Sequence, residues 1–352
     1  MAAFTTFLKF VLLSLIFLST SSFYYIDRIQ NLIRSRQGDL EEEPLNSWLL
    51  ARYVYFERQE HLNNMCRLHS SHYAHTNMRE DTQLLEHILV DRKHKLLYCY
   101  VPKVACTNWK RVLMVLSGLS NSSDASAIPA DVAHKPGTIT RLSDLDPEEA
   151  QLLLDTYTKF IFVRHPFERL LSAYRNKLEQ HWLSSKYFQS RFGRHIVKHY
   201  RPNPTNHSLL WGDDVTFQEF VTFLIARENM TANEHWLPIE DLCRPCYINY
   251  DFIGKYETLY EDAEYLLKHI GEPLLKFPRG PGSNTSSQLN KYYTTLTSDM
   301  IKQLYDIFKW ISKCLHIICR TSSVMRLARN NHHKSDATYP DQKLILKVPC
   351  AE

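Results

Sequence analysis

Leu96-Leu-Tyr-Cys-Tyr-Val-Pro-Lys-Val-Ala-Cys-Thr-Asn-Trp109 reads as a strand, a tight turn and the start of a helix. Leu96 to Val101 is a short continuous apolar run of the kind that fills a buried strand, and Pro102 ends it. Trp109, Val112, Leu113 and Leu116 then recur at helical spacing and mark one apolar helix face. A second stretch repeats the pattern. Phe160-Ile-Phe-Val163 is another buried-strand run, and Arg164-His165-Pro166 follows it with the proline placed for the first helical position. Phe167, Leu170, Leu171, Tyr174 and Leu178 form the apolar stripe of the next helix. Repeated strand-to-helix units predict an α/β fold, a parallel sheet flanked by helices.

A helix N-terminus that follows a strand favours anions, because its free N–H groups and its dipole face the ligand. In the first turn, small Ala105 and Cys106 permit close approach of the backbone, and Thr107 and Asn108 offer side-chain hydrogen bonds or a cap. Lys103 adds a compact positive charge at the strand end. No G-x-x-x-x-G-K-[ST] is present, so a Walker-type nucleotidase is not supported. Taken alone, the pattern is equally that of a capped helix with a solvated lysine. The second stretch supplies Arg164, whose fork suits a phosphate, and Ser172 about two turns into its helix. The alternative for Arg164 is an ion pair with Glu168. Together the two segments can hold two phosphates of one nucleotide at neighbouring strand ends.

The chain of 352 residues is 44% apolar and 12% aromatic, which suits a globular protein with a large core. Its nine glycines argue against a Rossmann fingerprint, and a formal net charge of +4 excludes a polycation. Phe4 to Tyr25 carries one charge, Lys9, and matches the roughly 20 residues of a bilayer span better than a cleaved signal peptide. Residues 1–25 are therefore expected to be a cytoplasmic tail and signal anchor. Arg28, Arg34 and Arg36 beyond the span do not favour a lumenal body by charge, but the sequons at Asn121, Asn206, Asn229 and Asn284 do. Cys243-Arg-Pro-Cys246 is open to redox, zinc or structural readings, and in a lumenal protein structural disulfides are expected, with no metal site. Residues 26–84 read as a stem, 85–308 as the folded domain and 309–352 as a tail. Ser117 to Pro147 reads as a polar insertion of loop and short turns.

Tyr98 to Arg111 resembles the 5′-phosphosulfate loop of the Golgi carbohydrate sulfotransferases, and the chondroitin and dermatan 4-O-sulfotransferase branch most closely. Phe162-Val-Arg-His-Pro-Phe-Glu-Arg-Leu-Leu-Ser-Ala-Tyr-Arg-Asn-Lys177 resembles their 3′-phosphate segment. Asn233-Glu-His-Trp236, Cys243-x-Pro-Cys246 and Tyr250 to Leu259 also match, so the resemblance covers about residues 84 to 308. It implies a P-loop-like fold, a type II Golgi membrane protein with its catalytic domain in the lumen, and 3′-phosphoadenosine 5′-phosphosulfate (PAPS) as sulfuryl donor. It makes Pro102, Lys103, Val104, Ala105, Cys106, Thr107 and Asn108 one half of the donor site. Arg164, His165, Pro166, Phe167, Glu168, Arg169, Leu170, Leu171 and Ser172 make the other half. Two features depart from the pattern: His165 stands where relatives often carry an acid, and the sequence after Lys309 diverges.

Sulfuryl transfer depends on in-line positioning and charge stabilisation, so Lys103 is expected to stabilise the leaving oxygen. Glu234 and His235 are the candidate bases, with Glu168 and His165 next, and His235 is taken as the catalytic one because the resembling Asn233-Glu-His-Trp236 stretch contains it. Arg191, Arg194 and Lys198, with His195 and Arg201, fall largely on one helical face and are expected to track an anionic glycosaminoglycan or other N-acetylgalactosamine-containing glycan. Transfer to position 4 of N-acetylgalactosamine is the leading expectation. The divergent C-terminus motivates a second, a catalytically inactive lumenal relative that binds glycan or nucleotide. No recognised nucleic-acid module is visible.

Overall fold

In a computed structural model that describes residues 45–68, 81–227, 232–280 and 284–314, both apolar runs are strands of one sheet. The elements in chain order are α1 (Leu45–Leu68), β1 (Ile88–Asp91), β2 (Leu96–Cys99), α2 (Cys106–Leu116), α3 (Ala130–His134) and α4 (Pro147–Thr156). Then come β3 (Thr158–Val163), α5 (Pro166–Tyr174), α6 (Leu183–Phe188), α7 (Arg194–Tyr200), α8 (Asn206–Trp211) and α9 (Phe217–Ala226). The last are β4 (Phe252–Lys255), α10 (Leu259–His269), α11 (Thr285–Tyr293) and α12 (Ser298–Cys314). Single π-helical turns at Arg175–Glu179 and Gln189–Gly193 join α5 towards α6 and α6 to α7.

The strands lie in the order β1-β2-β3-β4. The β2–β3 and β3–β4 pairs are parallel, as the repeated units predict, with Tyr98 opposite Phe160 and Phe160 opposite Phe252. β1 is antiparallel to β2 and was not foreseen. The connection from Asp91 to Leu96 is too short for a crossover, so it can only form a hairpin. Buried Asp91 shapes that turn by accepting from the Lys93 N–H at 3.1 Å and holding His94 Nδ1 at 2.7 Å.

Alternation along β3 puts Phe160 and Phe162 on one face, where Trp109 of α2 meets their rings at 5.0 and 4.8 Å. Gly254 of β4 lies under the Phe162 ring, in space that any Cβ would fill. Pro166 opens α5 as expected, and the Nδ1 of His165 caps that helix by accepting from the Phe167 N–H at 3.2 Å.

Part of the stretch read as stem is folded: residues 45–68 form α1, and its residues from Tyr53 onward belong to the same compact unit as the sheet. Tyr55 stacks on Phe252 with ring centroids 4.7 Å apart, and its hydroxyl donates to Asp262 at 3.0 Å. Arg58 pairs with the same carboxylate at 2.6 Å. Asp262 is buried and also accepts from the Lys255 N–H and the Thr258 hydroxyl, so its charge is fully partnered. The reason the sequence hid this packing is that its partners lie about two hundred residues away. Among the described residues no helix is long and apolar enough to cross a membrane, and the span from Phe4 to Tyr25 lies outside them, as does the tail beyond Cys314.

The two cysteines of the C-x-x-C do not pair with each other. Cys243 bonds Cys99 at the end of β2, and Cys246 bonds Cys66 at the end of α1. Both bridges are structural, and the first ties the segment after Asn233 to the strand that leads into the Lys103 loop. Non-reducing peptide mapping should recover Cys66–Cys246 and Cys99–Cys243; a Cys243–Cys246 peptide would contradict the fold. Paired Cys66→Ala and Cys246→Ala substitutions should lower stability by about 2–4 kcal/mol, read from the denaturant midpoint.

Candidate active site

The carboxyl ends of the three parallel strands open onto one crevice, the usual ligand position of an open α/β sheet. Pro102 to Asn108 comes from β2, Arg164 and Ser172 from β3 and the helix after it, and Tyr256, Leu259 and Tyr260 from the end of β4. His235 reaches in from the segment that the Cys99–Cys243 bridge anchors. Together they line a cavity of about 360 Å³. No aspartate or glutamate is among its described lining residues.

The loop after β2 is strained. Lys103 and Ala105 both adopt left-handed backbone, with φ of 70° and 57°, although neither is glycine. Each costs about 1–3 kcal/mol and persists only where the surroundings hold it. Ala105 precedes α2 with no side-chain cap, so Thr107 and Asn108 do not cap that helix. First-turn amides have no intrahelical partner, and an uncapped turn presents them to an anion. Thr107 instead meets His134 Nε2 at 2.8 Å, while Asn108 donates to the Pro278 carbonyl at 3.0 Å and fixes the loop across the cavity.

Cations crowd this space. Lys103 Nζ donates to Asn176 Oδ1 at 2.8 Å. Burial, and then the nearby Lys177, Arg164 and Arg169, push its pKa down to about 8. Burial lowers the Lys177 ammonium too. Its Nζ sits over the Phe188 ring at 4.4 Å. The Arg164 guanidinium lies over Tyr256 at 4.0 Å and donates to the Lys103 carbonyl at 3.2 Å. It also makes the alternative ion pair with Glu168, at 3.4 Å.

His235 is held neutral. Its Nδ1 lies 3.0 Å from Asn233 Oδ1, an oxygen that also accepts the His235 N–H at 3.1 Å. That places the imidazole proton on Nδ1 and leaves Nε2 as the basic nitrogen. Burial first, then Lys177 and Lys103, push its pKa down to about 2.

The expected site residues divide into two sets. Pro102, Lys103, Ala105, Cys106, Thr107, Asn108, Arg164, Ser172 and His235 line the cavity. Val104, Pro166, Phe167, Leu170 and Leu171 are buried in the core and shape it from behind. His165 is the cap of α5, and buried Glu168 faces Arg164. Arg169 is buried and binds backbone: Nε to Pro102 O at 3.0 Å, and the two terminal nitrogens to Leu237 O at 2.6 Å and Glu234 O at 2.7 Å. Glu234 stands at the rim, where it accepts from the Tyr100 hydroxyl at 3.4 Å.

Arg191, Arg194 and Lys198 are exposed and lie outside the cavity. Arg201 is locked by Glu219 and Asp214, each at 2.6 Å, and belongs to the fold. The sequence reading missed His134, Asn176, Lys177, Tyr256 and Tyr260 as lining residues. Asn176 stands one helical turn beyond Ser172, a usable signal, whereas His134 sits in the polar insertion with none.

A cationic cavity at the strand ends, with an uncapped helix turn facing it, defines an α/β protein that handles an anionic nucleotide or group. Residues 86–310 match the model of the sulfotransferase family, and the chain belongs to that family. It is similar to carbohydrate sulfotransferase 11 of Rattus norvegicus, 42% identical over 258 residues that span 72% of each chain. It is also similar to carbohydrate sulfotransferase 14 of Danio rerio, 44% identical over 225 residues, or 63% of this chain and 59% of the relative. Carbohydrate sulfotransferase 9 of Homo sapiens is 38% identical over 277 residues, 75% of this chain and 60% of its own. No solved structure matches.

The histidines allow a test of the electrostatics. His235 and His87 have pKa values pushed down to about 2 and 4, chiefly by burial. A depressed folded value means stability that is complete above pH 6.5 and lost as pH falls towards those values. Imidazole NMR should show His235 neutral at pH 5.5, and pyrophosphate added to the cavity should raise its pKa by offsetting the cations. A His235 that titrates near 6.5 without ligand would contradict this geometry.

Proposed function

We propose that the chain is a carbohydrate sulfotransferase that moves a sulfuryl group from PAPS to the 4-hydroxyl of N-acetylgalactosamine in chondroitin or dermatan. The observation that carries this reading is the cavity lined by Lys103, Lys177, Arg164, His134 and His235 without a carboxylate. A polyanionic nucleotide fits such a lining, and the names of the similar relatives support a carbohydrate acceptor. All described lining residues fall between Pro102 and Gly280.

In this reading the sheet with its β2 loop is P-loop-like, and the Pro102–Asn108 loop takes the sulfated end of the donor. Arg164 and Ser172 take the 3′-phosphate. The donor supplies an activated sulfuryl group with a good leaving group. Protonated Lys103, steadied by Asn176, stabilises charge on the leaving oxygen. His235 Nε2 accepts the proton of the sugar hydroxyl, which demands a higher basicity than the free protein gives it. Anion binding contributes to that rise by offsetting the Lys177 and Lys103 fields, which rank after burial among the causes of the depression.

The reading includes an N-terminal signal anchor, a single-pass type II topology in the Golgi membrane and a lumenal catalytic domain. Two long-range disulfides suit an oxidising compartment. Asn121, Asn206 and Asn284 are exposed, as glycan attachment requires, while Asn229 lies outside the described residues.

The deciding experiment incubates the full chain with labelled PAPS and desulfated chondroitin or dermatan, then locates the label on the sugar. Label on position 4 of N-acetylgalactosamine is the expected result; its absence from every glycan contradicts the reading. Lys103→Ala should lower turnover roughly 10²–10³-fold with an unchanged melting temperature. Near-normal turnover would remove the role of Lys103, and a pH–rate profile unchanged in His235→Ala would remove that of His235.

A further inference from the structure

A second cavity, of about 450 Å³, lies outside the active site between α6, the π-turn that follows it, and α8. Next to its lining residues two backbones approach closely. At Gly193 a Cβ would collide with the Gly212 carbonyl, and at Gly212 one would collide with the Arg194 nitrogen and the Gln189 carbonyl. Gly212 also holds left-handed backbone, with φ of 62°. With the two backbones in contact there, larger neighbouring side chains form the walls: Tyr187 and Lys186 from α6, Arg194 from α7, and Leu210 and Trp211 from α8.

The composition of these walls is unusual for a surface. Tyr187 and Trp211 are 56% and 57% exposed, and Leu210 is 60% exposed. Lys186 and Arg194 are exposed cations, and the exposed His181 joins them on the lining. Arg194 is oriented by donation from Nε to the Leu209 carbonyl at 3.2 Å. The one acidic residue on the lining, Asp213, is already met by His207 Nε2 at 3.1 Å. Arg191 and Lys198 extend the positive surface on the same turns.

Exposed aromatic faces between cations match one ligand class. A sugar ring offers apolar C–H faces to an aromatic ring, and its carboxylate or sulfate takes charge-assisted hydrogen bonds from Arg and Lys. The groove and the active site lie on either side of one helical turn. The Tyr187 ring lies 5.3 Å from Phe188, and Phe188 lies 5.0 Å from His235. One turn of helix thus has its Tyr187 side on the groove and its Phe188 side against His235, which lines the active-site cavity.

We infer that this groove is an accessory saccharide site, holding an outlying stretch of an anionic polysaccharide whose reacting sugar sits beside His235. The assignment rests on the sulfotransferase reading above and adds that the enzyme engages a long polyanion at two places. Long chains are then bound in preference to short ones, because a second contact on the same chain raises the effective concentration of the first.

The test measures the affinity of the full chain in detergent for a fluorescent desulfated chondroitin polymer and for its tetrasaccharide. Tyr187→Ala combined with Trp211→Ala, and Arg194→Gln alone, are compared with the unaltered chain. Binding of adenosine 3′,5′-bisphosphate serves as the check on folding. The polymer affinity should fall about tenfold in each variant while the tetrasaccharide affinity changes by less than about twofold. An unchanged polymer affinity overturns the proposal, and so does an equal loss for polymer and tetrasaccharide. If the variants lose polymer binding but no form of the protein transfers sulfate, the groove stands and the catalytic reading fails. If transfer occurs and polymer affinity is untouched, the groove alone fails.

Discussion

The buried guanidinium of Arg169 joins three parts of the site that are far apart in the chain. It rises from α5, directly beneath the strand end that carries Arg164, and binds the carbonyls of Pro102, Glu234 and Leu237. The Lys103 loop and the His235 segment are therefore fixed to one helix by a single planar group. A buried charge is tolerated only when its hydrogen bonds are met, and here backbone carbonyls meet them. The Cys99–Cys243 bridge restrains the same two segments covalently, from the other end of each. A lysine could not span three acceptors with one rigid fork.

On this frame the fold assembles groups that oppose one another. Lys103, Lys177, Arg164 and Arg169 repel, and burial first, then the field of neighbouring cations, lowers the basicity of Lys103 and His235. The strained left-handed backbone at Lys103 and Ala105 adds to the cost. Anion binding relieves the repulsion, so the stability lost in the free protein returns as donor affinity. In the proposed reaction the same event returns part of the basicity of His235, the part that Lys177 and Lys103 remove, while burial remains the larger cause.

The sheet was legible where its signals are local. Continuous apolar runs closed by Pro102 and by Arg164-His165-Pro166 become β2 and β3 with the helices expected after them. β1 was not, because four residues before a polar turn give no period to read. α1 was lost for another reason: its anchors, Asp262 and Cys246, are distant in sequence. The cysteine spacing was visible but its connectivity was not, since each half of the C-x-x-C reaches a different partner. At the site, the two strand-to-helix units pointed to Lys103, Arg164 and Ser172, and the resemblance of Asn233-Glu-His-Trp236 added His235; all four line one cavity. Spacing could not separate Arg169 from Arg164, because both are buried arginines and only their partners differ: Arg169 binds three distant backbone carbonyls, whereas Arg164 lines the cavity. Likewise Arg191, Arg194 and Arg201 look alike in sequence, and only the carboxylates of Glu219 and Asp214 take Arg201 out of the set.

The claim that Arg169 holds both halves of the site is tested most directly by amide hydrogen exchange on Arg169→Lys. Protection should drop together in residues 101–108 and 233–237, with β3 unaffected. Loss in only one of the two segments, or in neither, would contradict the account.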